Sequence, residues 1–148
     1  MVVIESLKFE NVTLKFGGIT ALNDISFEVK PKKLYSIIGP NGAGKTSIFN
    51  CISGIYRPTT GTVKYGNNNI NELRPDEVAS LGIARTFQNI ELFENMTVLD
   101  NILIGCHRQL NYGPVSSLLF SKKVKKNEIE ARKNAEEIID FLEIEQFR

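Results

Sequence analysis

The stretch "GPNGAGKTS" at positions 39–47 contains residue types whose spacing suits the binding of a nucleotide's phosphates. Gly39 is followed, after four residues, by Gly44, Lys45 and Thr46, which is the phosphate-binding loop pattern G-x-x-x-x-G-K-[ST], also called Walker A. The residues predicted to bind the phosphates are Gly39, Pro40, Asn41, Gly42, Ala43, Gly44, Lys45, Thr46 and Ser47.

The residue types of this loop have separate physical roles. We expect Gly39 to permit a sharp turn, and Gly42 and Gly44 to let backbone N–H groups approach phosphate oxygens without a Cβ in the way. A helix beginning near Lys45 would direct its positive dipole end at the same anion. The ammonium of Lys45 would contact β and γ oxygens, and Thr46 would offer a hydroxyl to Mg²⁺. A triphosphate with Mg²⁺ is therefore the predicted ligand.

Hydrolysis needs further groups, namely an acidic residue at the end of an apolar strand and a group that positions the attacking water. Asp76 with Glu77 follows "ELRP" and not an apolar run, while Asp100 and Asp140 lie in helical patterns. His107 has no Ser or Cys at a nucleophile spacing, so we interpret it as structural. We therefore expect no catalytic residue within the 148 residues.

The elements around the loop are predicted from hydrophobic periodicity. Residues 7–16 and 25–30 alternate apolar and polar side chains, which predicts antiparallel strands. "LYSII" at 34–38 is short and mostly apolar, as a buried parallel strand would be. Residues 45–53 have a helical apolar face, and Gly54 suits the end of that helix. The predicted order is strand, loop, helix.

Three further elements are expected after this helix. "GTVKYGNNNI" at 61–70 indicates a hairpin, because residues 66–69 tolerate positive φ. Pro75 suits the first turn of a short helix that Gly82 would end. "IARTFQ" at 83–88 is interpreted as a strand.

Two helices are expected in the remainder of the chain. Thr97 and Asp100 form an approximate capping box before an apolar face that runs towards His107. From Asn127 onward the sequence predicts an amphipathic helix. Its apolar positions are Ala131, Ala135, Ile138, Ile139 and Leu142. The lysine-rich "KKVKK" at 122–126 is interpreted as a solvated loop or helix edge.

Composition limits the classes of function. A chain of 148 residues with 42% hydrophobic residues is the size of one ordinary domain. The net charge of +1 gives no global attraction to nucleic acid or to an anionic membrane. We expect no secretion signal and no membrane span, because neither pattern occurs in the sequence. Cys51 and Cys106 are predicted to be buried free thiols in a reducing, cytosolic compartment.

Three segments resemble the ATP-binding subunits of ABC transporters in their order and spacing. They are "FGGITALNDISFEV", "IIGPNGAGKTSIFNCISGIYRPTTGTV" and "GIARTFQNIELFENMTVLDNILIG". The third is similar to the ATPases of branched-chain amino acid importers. The resemblance, which covers essentially the whole chain, implies an α/β fold. It would be an incomplete P-loop NTPase core, with an N-terminal antiparallel β-subdomain and the Walker A part of the core in 1–88, and a partial helical subdomain in 89–148.

The resemblance also implies roles for residues outside the loop. Phe16 matches the aromatic residue of the family's A-loop, which stacks on adenine; the alternative is a core strand residue. Gln88 matches the Q-loop glutamine, an Mg²⁺ ligand together with Thr46; the alternative is an ordinary loop glutamine. Residues 89–107 resemble the segment that receives a coupling helix from the permease, although their apolar side chains could simply be core.

The sequence departs from the family pattern in what it does not contain. The Leu-Ser-Gly-Gly-Gln signature, the Walker B strand with its glutamate, the D-loop and the switch histidine cannot be placed. The expectation is that the 148-residue chain binds ATP at most. Because a parallel sheet buried on both faces needs neighbouring strands, we also expect exposed apolar surface, open strand edges and marginal stability.

The resemblance implies partners and a location as well. The complete subunit would form a homo- or heterodimer with a second ATP-binding subunit and would bind transmembrane permease subunits, not nucleic acid. It would be cytoplasmic and peripheral on the inner face of the cell membrane. Transport direction is implied by the resemblance alone, and the sequence does not identify the transported substrate.

Two alternatives belong to other classes of function. A complete small P-loop kinase or GTPase is disfavoured, because no acceptor-site acid, lid arginines or Asn-Lys-x-Asp motif can be placed. A non-catalytic module could instead use residues 89–107 to dock on a permease. Docking that needs no nucleotide would distinguish this module from an ATPase portion.

Overall fold

The structure, a computed structural model, describes residues 4–87, 92–106 and 122–147. It divides into two compact units, Met1–Phe87 and Gln88–Arg148. This division lies one residue from the expected boundary between 1–88 and 89–148. The assignment of the two ranges to functional subdomains stays a prediction.

The first unit contains a four-stranded antiparallel sheet in the order β2-β1-β3-β4. Its strands are β1 (Leu7–Phe16), β2 (Ile19–Val29), β3 (Thr60–Tyr65) and β4 (Asn68–Asn69). The predicted antiparallel strands and the hairpin at 61–70 are confirmed. Strand β2 begins at Ile19 and not at residue 25, because a tight turn with Gly17 at φ 55° returns the chain directly onto β1.

The core of the first unit contains Phe9, Val12 and Leu14 of β1 together with buried residues of the first helix, α1 (Lys45–Ile52). Phe9 stacks on Phe27 of β2 with ring centroids 4.5 Å apart. Cys51 of α1 is a free thiol in this core, and its burial raises its pKa to about 11. The buried cluster comprises Phe9, Val12, Leu14, Leu22, Ile48, Cys51, Val63, Ile70 and Val78. Apolar side chains from β1, β2, β3 and α1 thus form one buried cluster.

Glycines end the two α-helices of the first unit, as predicted. After α1, Gly54 has φ +70°, and a Cβ there would lie 3.0 Å from Val78 Cγ2. Helix α2 (Pro75–Ser80) begins at Pro75 and is followed by Gly82 at φ 91°. A 3₁₀ turn, Ile70–Glu72, precedes it.

Two predicted strands are wrong in the part of the chain that the structure describes. Residues 34–38 and 83–87 form no strand, and Leu34 and Ile38 are 96% and 92% exposed. A buried parallel strand requires neighbouring strands for its hydrogen bonds, whereas the described sheet consists of the four antiparallel strands alone. Residues 33–38 instead form, with β2 and α1, the wall of an open apolar groove of about 660 Å³.

The second unit contains the helices α3 (Val98–Gly105) and α4 (Lys122–Phe141), followed by a 3₁₀ turn, Glu145–Phe147. The N-cap of α3 is confirmed, because Thr97 Oγ1 accepts a hydrogen bond from the Asp100 N–H at 3.1 Å. Leu99 packs against Ala135 and Ile139 of α4. This small cluster forms the core of the second unit.

Helix α4 differs from its prediction in its start and in its apolar face. It begins at Lys122, so the "KKVKK" cluster forms its first turns. Ala131, Ala135 and Ile139 are buried, whereas Ile138 and Leu142 are exposed. Within the described ranges, each helix is too short or too polar to cross a lipid bilayer.

Candidate nucleotide-binding site

The loop before α1 depends on two glycines with left-handed backbones. Gly42 and Gly44 both have φ +84°. A Cβ at Gly44 would also lie 2.6 Å from the Ala21 carbonyl oxygen and 2.9 Å from Leu22 Cδ2, whereas a Cβ at Gly42 would meet nothing within 4 Å. Position 44 therefore requires glycine both for its conformation and for its closeness to β2.

Gly39 suits the loop for a steric reason and not through its backbone conformation. Its φ lies outside the left-handed region, so the turn does not require glycine for its conformation. A Cβ there would instead lie 3.2 Å from the Cβ of Ala43. A residue without a side chain at position 39 thus permits the close approach to Ala43, as the expected sharp turn requires.

The amino end of α1 presents backbone donors at this loop. Gly44 is the N-cap and provides no side-chain cap, and the Ile48 N–H donates to the Gly44 carbonyl at 3.0 Å. The N–H groups of Lys45, Thr46 and Ser47 precede this bond and so have no acceptor within the helix. Together with the positive end of the helix dipole, they suit an anion such as phosphate.

The ammonium of Lys45 lies over its own loop. Lys45 Nζ donates to the carbonyl oxygens of Gly39 and Pro40, both at 2.6 Å. These two hydrogen bonds place a positive charge beside the loop's backbone donors. The arrangement combines a point charge with a helix terminus, which is what binding of a polyphosphate requires.

The loop and the start of β2 together line an open cavity of about 310 Å³. Its lining comprises Ile19, Thr20, Ala21, Asn41, Gly42, Gly44, Lys45, Thr46 and Ser47. Gly39, Pro40 and Ala43 belong to the same loop but do not line this cavity. The sequence analysis did not predict that residues 19–21 line this cavity. The only available signal was their position directly after the turn at 17–18.

Phe16 lies beside this cavity without lining it. It is the last residue of β1 and pairs with Ile19, which does line the cavity. Its side chain is 45% exposed, unlike the buried Phe9 of the same strand. The ring also packs edge-to-face on Tyr56, with centroids 5.0 Å apart and an interplanar angle of 71°. The exposed fraction leaves aromatic surface available next to the loop.

Gln88 and His107 lie outside the described residues, but the chain that leads to Gln88 is described and contacts α1. Arg85 Nη1 donates to Asn50 Oδ1 at 2.5 Å. The guanidinium carbon of Arg85 lies 5.8 Å from the ring centroid of Phe49 and 5.0 Å from that of Phe87. Sequence reasoning assigned no role to Arg85, because its partners become neighbours only in the folded chain.

The donors in the described ranges fit a Mg²⁺ ion that is held mainly by phosphate. These ranges contain no cluster of three or more His, Cys, Asp or Glu side chains that could hold a metal ion. Thr46 offers an exposed hydroxyl at the amino end of α1. Mg²⁺ commonly binds through few protein ligands, several waters and substrate phosphates. Thr46 is therefore the protein ligand that this donor set supports.

A second candidate surface lies in the other unit, in the turn at 92–97 before α3. The Asn101 amide donates to the carbonyl oxygens of Phe93, Met96 and Thr97 at 3.2, 3.4 and 3.0 Å. The Asn101 carbonyl oxygen accepts from the Phe93 N–H at 3.0 Å. Because one side chain fixes the turn, the exposed side chains of Leu92, Phe93 and Met96 are presented on an ordered backbone.

Comparison with known proteins places these features in a family. The profile of the ABC transporter family matches residues 22–148. The high-affinity branched-chain amino acid transport ATP-binding protein LivG of Escherichia coli K12 is 40% identical over 125 residues, which are 84% of this chain and 49% of LivG. The corresponding protein BraF of Pseudomonas aeruginosa is 37% identical over 141 residues, which are 95% of this chain and 55% of BraF. The chain thus spans about half the length of these curated relatives.

Solved structures show the same likeness. The ADP conformation of MJ1267, an ATP-binding cassette of an ABC transporter, is 36% identical with a TM-score of 0.75, over 98% of this chain and 56% of that one. A dimeric post-hydrolysis structure of the cassette MJ0796, bound to ADP and Pi, is 29% identical with a TM-score of 0.69, over 95% and 59%. The expected fold class, a partial ABC ATPase core, is confirmed.

Proposed function

The chain belongs to the ABC transporter family, and from this premise we propose that it is the ATP-binding portion of a subunit that powers amino acid import. Branched-chain amino acids are the proposed cargo class, because the curated relatives LivG and BraF are named for their transport. The observation that carries the proposal is the Gly44–Lys45 junction, where a helix terminus and an ammonium converge on one loop. Because the chain belongs to this family, the alternative of a complete small P-loop kinase or GTPase is excluded.

Each end of the nucleotide has a proposed contact. The backbone donors at the start of α1 and the ammonium of Lys45 bind the phosphates, while Thr46 would hold a Mg²⁺ ion, which would supply positive charge beside them. Phe16 stacks on adenine, for which its exposed ring next to Ile19 is suited. Gln88 is proposed as a further Mg²⁺ ligand, supported by its place within the range that the ABC transporter profile matches.

Turnover is proposed to need more than these 148 residues. Stabilisation of a transferring phosphoryl group requires an anchored metal and a group that positions water. The sequence supplies neither an acidic residue after an apolar strand nor a signature segment. The chain by itself is therefore proposed to bind ATP without hydrolysing it, while the complete subunit is an ATPase coupled to transport.

The proposed partners are a second ATP-binding subunit and a pair of permease subunits. Dimerisation is supported by the cassette MJ0796, which was solved as a dimer. The turn at 92–97, whose backbone is fixed by Asn101, is the proposed contact for a permease. A cytoplasmic location of the complete subunit, peripheral on the inner face of the cell membrane, is part of the same proposal. This surface also supports a second candidate function, a docking module without catalysis, for which binding to the permease would need no nucleotide.

Titration calorimetry with Mg-ATP tests nucleotide binding. Lys45→Ala is expected to weaken binding at least tenfold, because hydrogen bonds to charged groups contribute about 1.5 to 3 kcal/mol. Lys8→Ala is the matched control, since Lys8 is an exposed lysine of the same unit whose ion pair with Glu28 spans 3.7 Å. An Mg-ATP affinity that is the same in wild type and Lys45→Ala would contradict the assignment.

A further inference from the structure

The ring of Tyr56 contacts Phe16, the aromatic residue proposed to stack on adenine. The two rings meet edge-to-face at 5.0 Å and 71°. Tyr56 is half-buried and packs on the core cluster of the first unit, whereas Phe16, at the end of β1, is 45% exposed. An edge-to-face pair fixes the plane of both rings, because other orientations lose the attraction between ring edge and ring face. Tyr56, which is packed on the core, therefore determines how the ring of Phe16 is oriented.

Tyr56 is itself held by the helix that begins at the phosphate loop. The N–H groups of Ile55 and Tyr56 both donate to the Asn50 carbonyl oxygen, at 2.9 and 3.1 Å. Asn50 lies in the last turn of α1, and Lys45 is the first residue of the same helix. Helix α1 thus connects Lys45 of the phosphate loop to Tyr56, which contacts Phe16.

The segment after Tyr56 is also fastened to the end of β1. The Thr59 N–H donates to the Thr13 carbonyl oxygen at 2.8 Å, and the Lys15 N–H donates to Thr59 Oγ1 at 2.9 Å. These bonds join both ends of the aromatic pair, because Lys15 directly precedes Phe16 and Thr59 follows Tyr56 by three residues. The backbones that carry the two rings are therefore fixed relative to each other.

We propose that Tyr56 is a positioning residue for the nucleotide base, which holds the Phe16 ring in the orientation that stacks on adenine. The inference rests on the proposed ATP-binding function and adds to it a residue that does not touch the nucleotide. A ring already fixed loses less conformational freedom when a base covers it, so stacking is tighter than on a freely rotating side chain. Phosphate binding, which depends on Lys45 and the start of α1, does not depend on this pair.

The test compares two probes, Mg-ATP and Mg²⁺ with inorganic triphosphate, by titration calorimetry on the 148-residue chain. Tyr56→Phe keeps the ring and is expected to bind ATP as the wild type does. Tyr56→Leu keeps apolar bulk without the ring and is expected to weaken ATP binding about three- to tenfold, with triphosphate affinity unchanged. In a Phe16→Leu background, Tyr56→Leu is expected to have no further effect on ATP binding.

The two probes separate the possible failures. If Tyr56→Leu weakens ATP and triphosphate binding equally, the residue merely supports the fold and the inference is overturned. An unchanged ATP affinity, or a loss that persists in the Phe16→Leu background, overturns it as well. If the wild type binds triphosphate but Phe16→Leu leaves ATP affinity unchanged, Phe16 does not stack on adenine, and the inference about Tyr56 is overturned with it. If the wild type binds neither probe, the proposed function itself is wrong.

Discussion

At the scale of single residues, Gly42 and Gly44 of the phosphate loop are glycines for different reasons. Both have φ +84°, but only Gly44 would bring a Cβ against β2. In Gly42→Ala, alanine has to adopt a left-handed backbone conformation without any steric clash, which lowers the free energy of unfolding by about 1 to 2 kcal/mol. Gly44→Ala adds a 2.6 Å approach to the Ala21 carbonyl, so we expect it to lower the free energy of unfolding by about 3 kcal/mol or more.

Urea unfolding of the two variants, followed by far-UV circular dichroism, measures this difference. The wild type and Gly42→Ala serve as references in the same buffer. Equal losses of stability in both variants would mean that the contact between residue 44 and β2 is relieved at little cost. In that case backbone conformation alone would explain the glycine at position 44.

The phosphate loop was predictable because its chemistry is encoded in adjacent residues. Gly44, Lys45 and Thr46 are consecutive in the sequence, and the helix that presents their N–H groups forms from local interactions. Contacts across the fold were not predictable in this way. Ile19 lines the cavity and Tyr56 supports Phe16 because folding brings separate segments together, and periodicity within one segment contains no information about such neighbours.

At the scale of elements, Arg85 attaches the irregular segment 83–87 to α1. Its guanidinium contacts Phe49, Phe87 and Asn50. Cation–π contacts contribute about 0.5 to 1 kcal/mol at exposed sites, and a hydrogen bond contributes about 1 kcal/mol. We therefore expect Arg85→Ala to lower the free energy of unfolding by about 1 to 3 kcal/mol.

A double-mutant cycle with Asn50→Ala measures how much of this loss belongs to the hydrogen bond. The coupling energy between Arg85 and Asn50 is expected to be about 0.5 to 1.5 kcal/mol. Arg85→Lys is the matched control, because it keeps the positive charge but loses the planar guanidinium. Additive effects of Arg85→Ala and Asn50→Ala would show that the 2.5 Å contact does not stabilise the folded chain.

The elements that sequence patterns predicted correctly are those that depend on local interactions. The hairpin of β3 and β4, the start of α2 at Pro75 and the N-cap at Thr97 depend on residues close in sequence, and all three are confirmed. Residues 34–38 and 83–87 were predicted as strands from local composition. A strand also needs a hydrogen-bonding neighbour, and no described strand pairs with these segments. These two strand predictions are therefore wrong because the segments lack pairing strands, and not because their residues disfavour strands.

At the scale of the whole molecule, the apolar groove beside α1 determines how the 148-residue chain should behave in solution. Its wall includes Leu34 and Ile38, which are almost fully exposed. Apolar surface of this kind favours association and binding of hydrophobic dyes. We expect the purified chain to self-associate and to enhance anilinonaphthalene sulfonate fluorescence.

Light scattering and dye titration of the double variant Leu34→Ser with Ile38→Ser test this expectation. The substitutions should reduce both dye binding and association with little loss of stability, because the replaced side chains already face solvent. Ile48→Ser is the contrasting variant, since Ile48 is buried in the core cluster and its replacement should unfold the chain. A wild-type chain that is monomeric and melts cooperatively without binding dye would contradict the expectation.

Helix α1 also determines the response of the phosphate site to oxidants. Cys51 lies six residues after Lys45 on this helix, and its burial raises the thiol pKa to about 11. Only the thiolate reacts readily with peroxide or disulfides, and with that pKa about one Cys51 side chain in ten thousand is ionised at pH 7. The thiol of Cys51, the sulfur closest in sequence to the phosphate loop, is therefore expected to react slowly with peroxide or disulfides at pH 7.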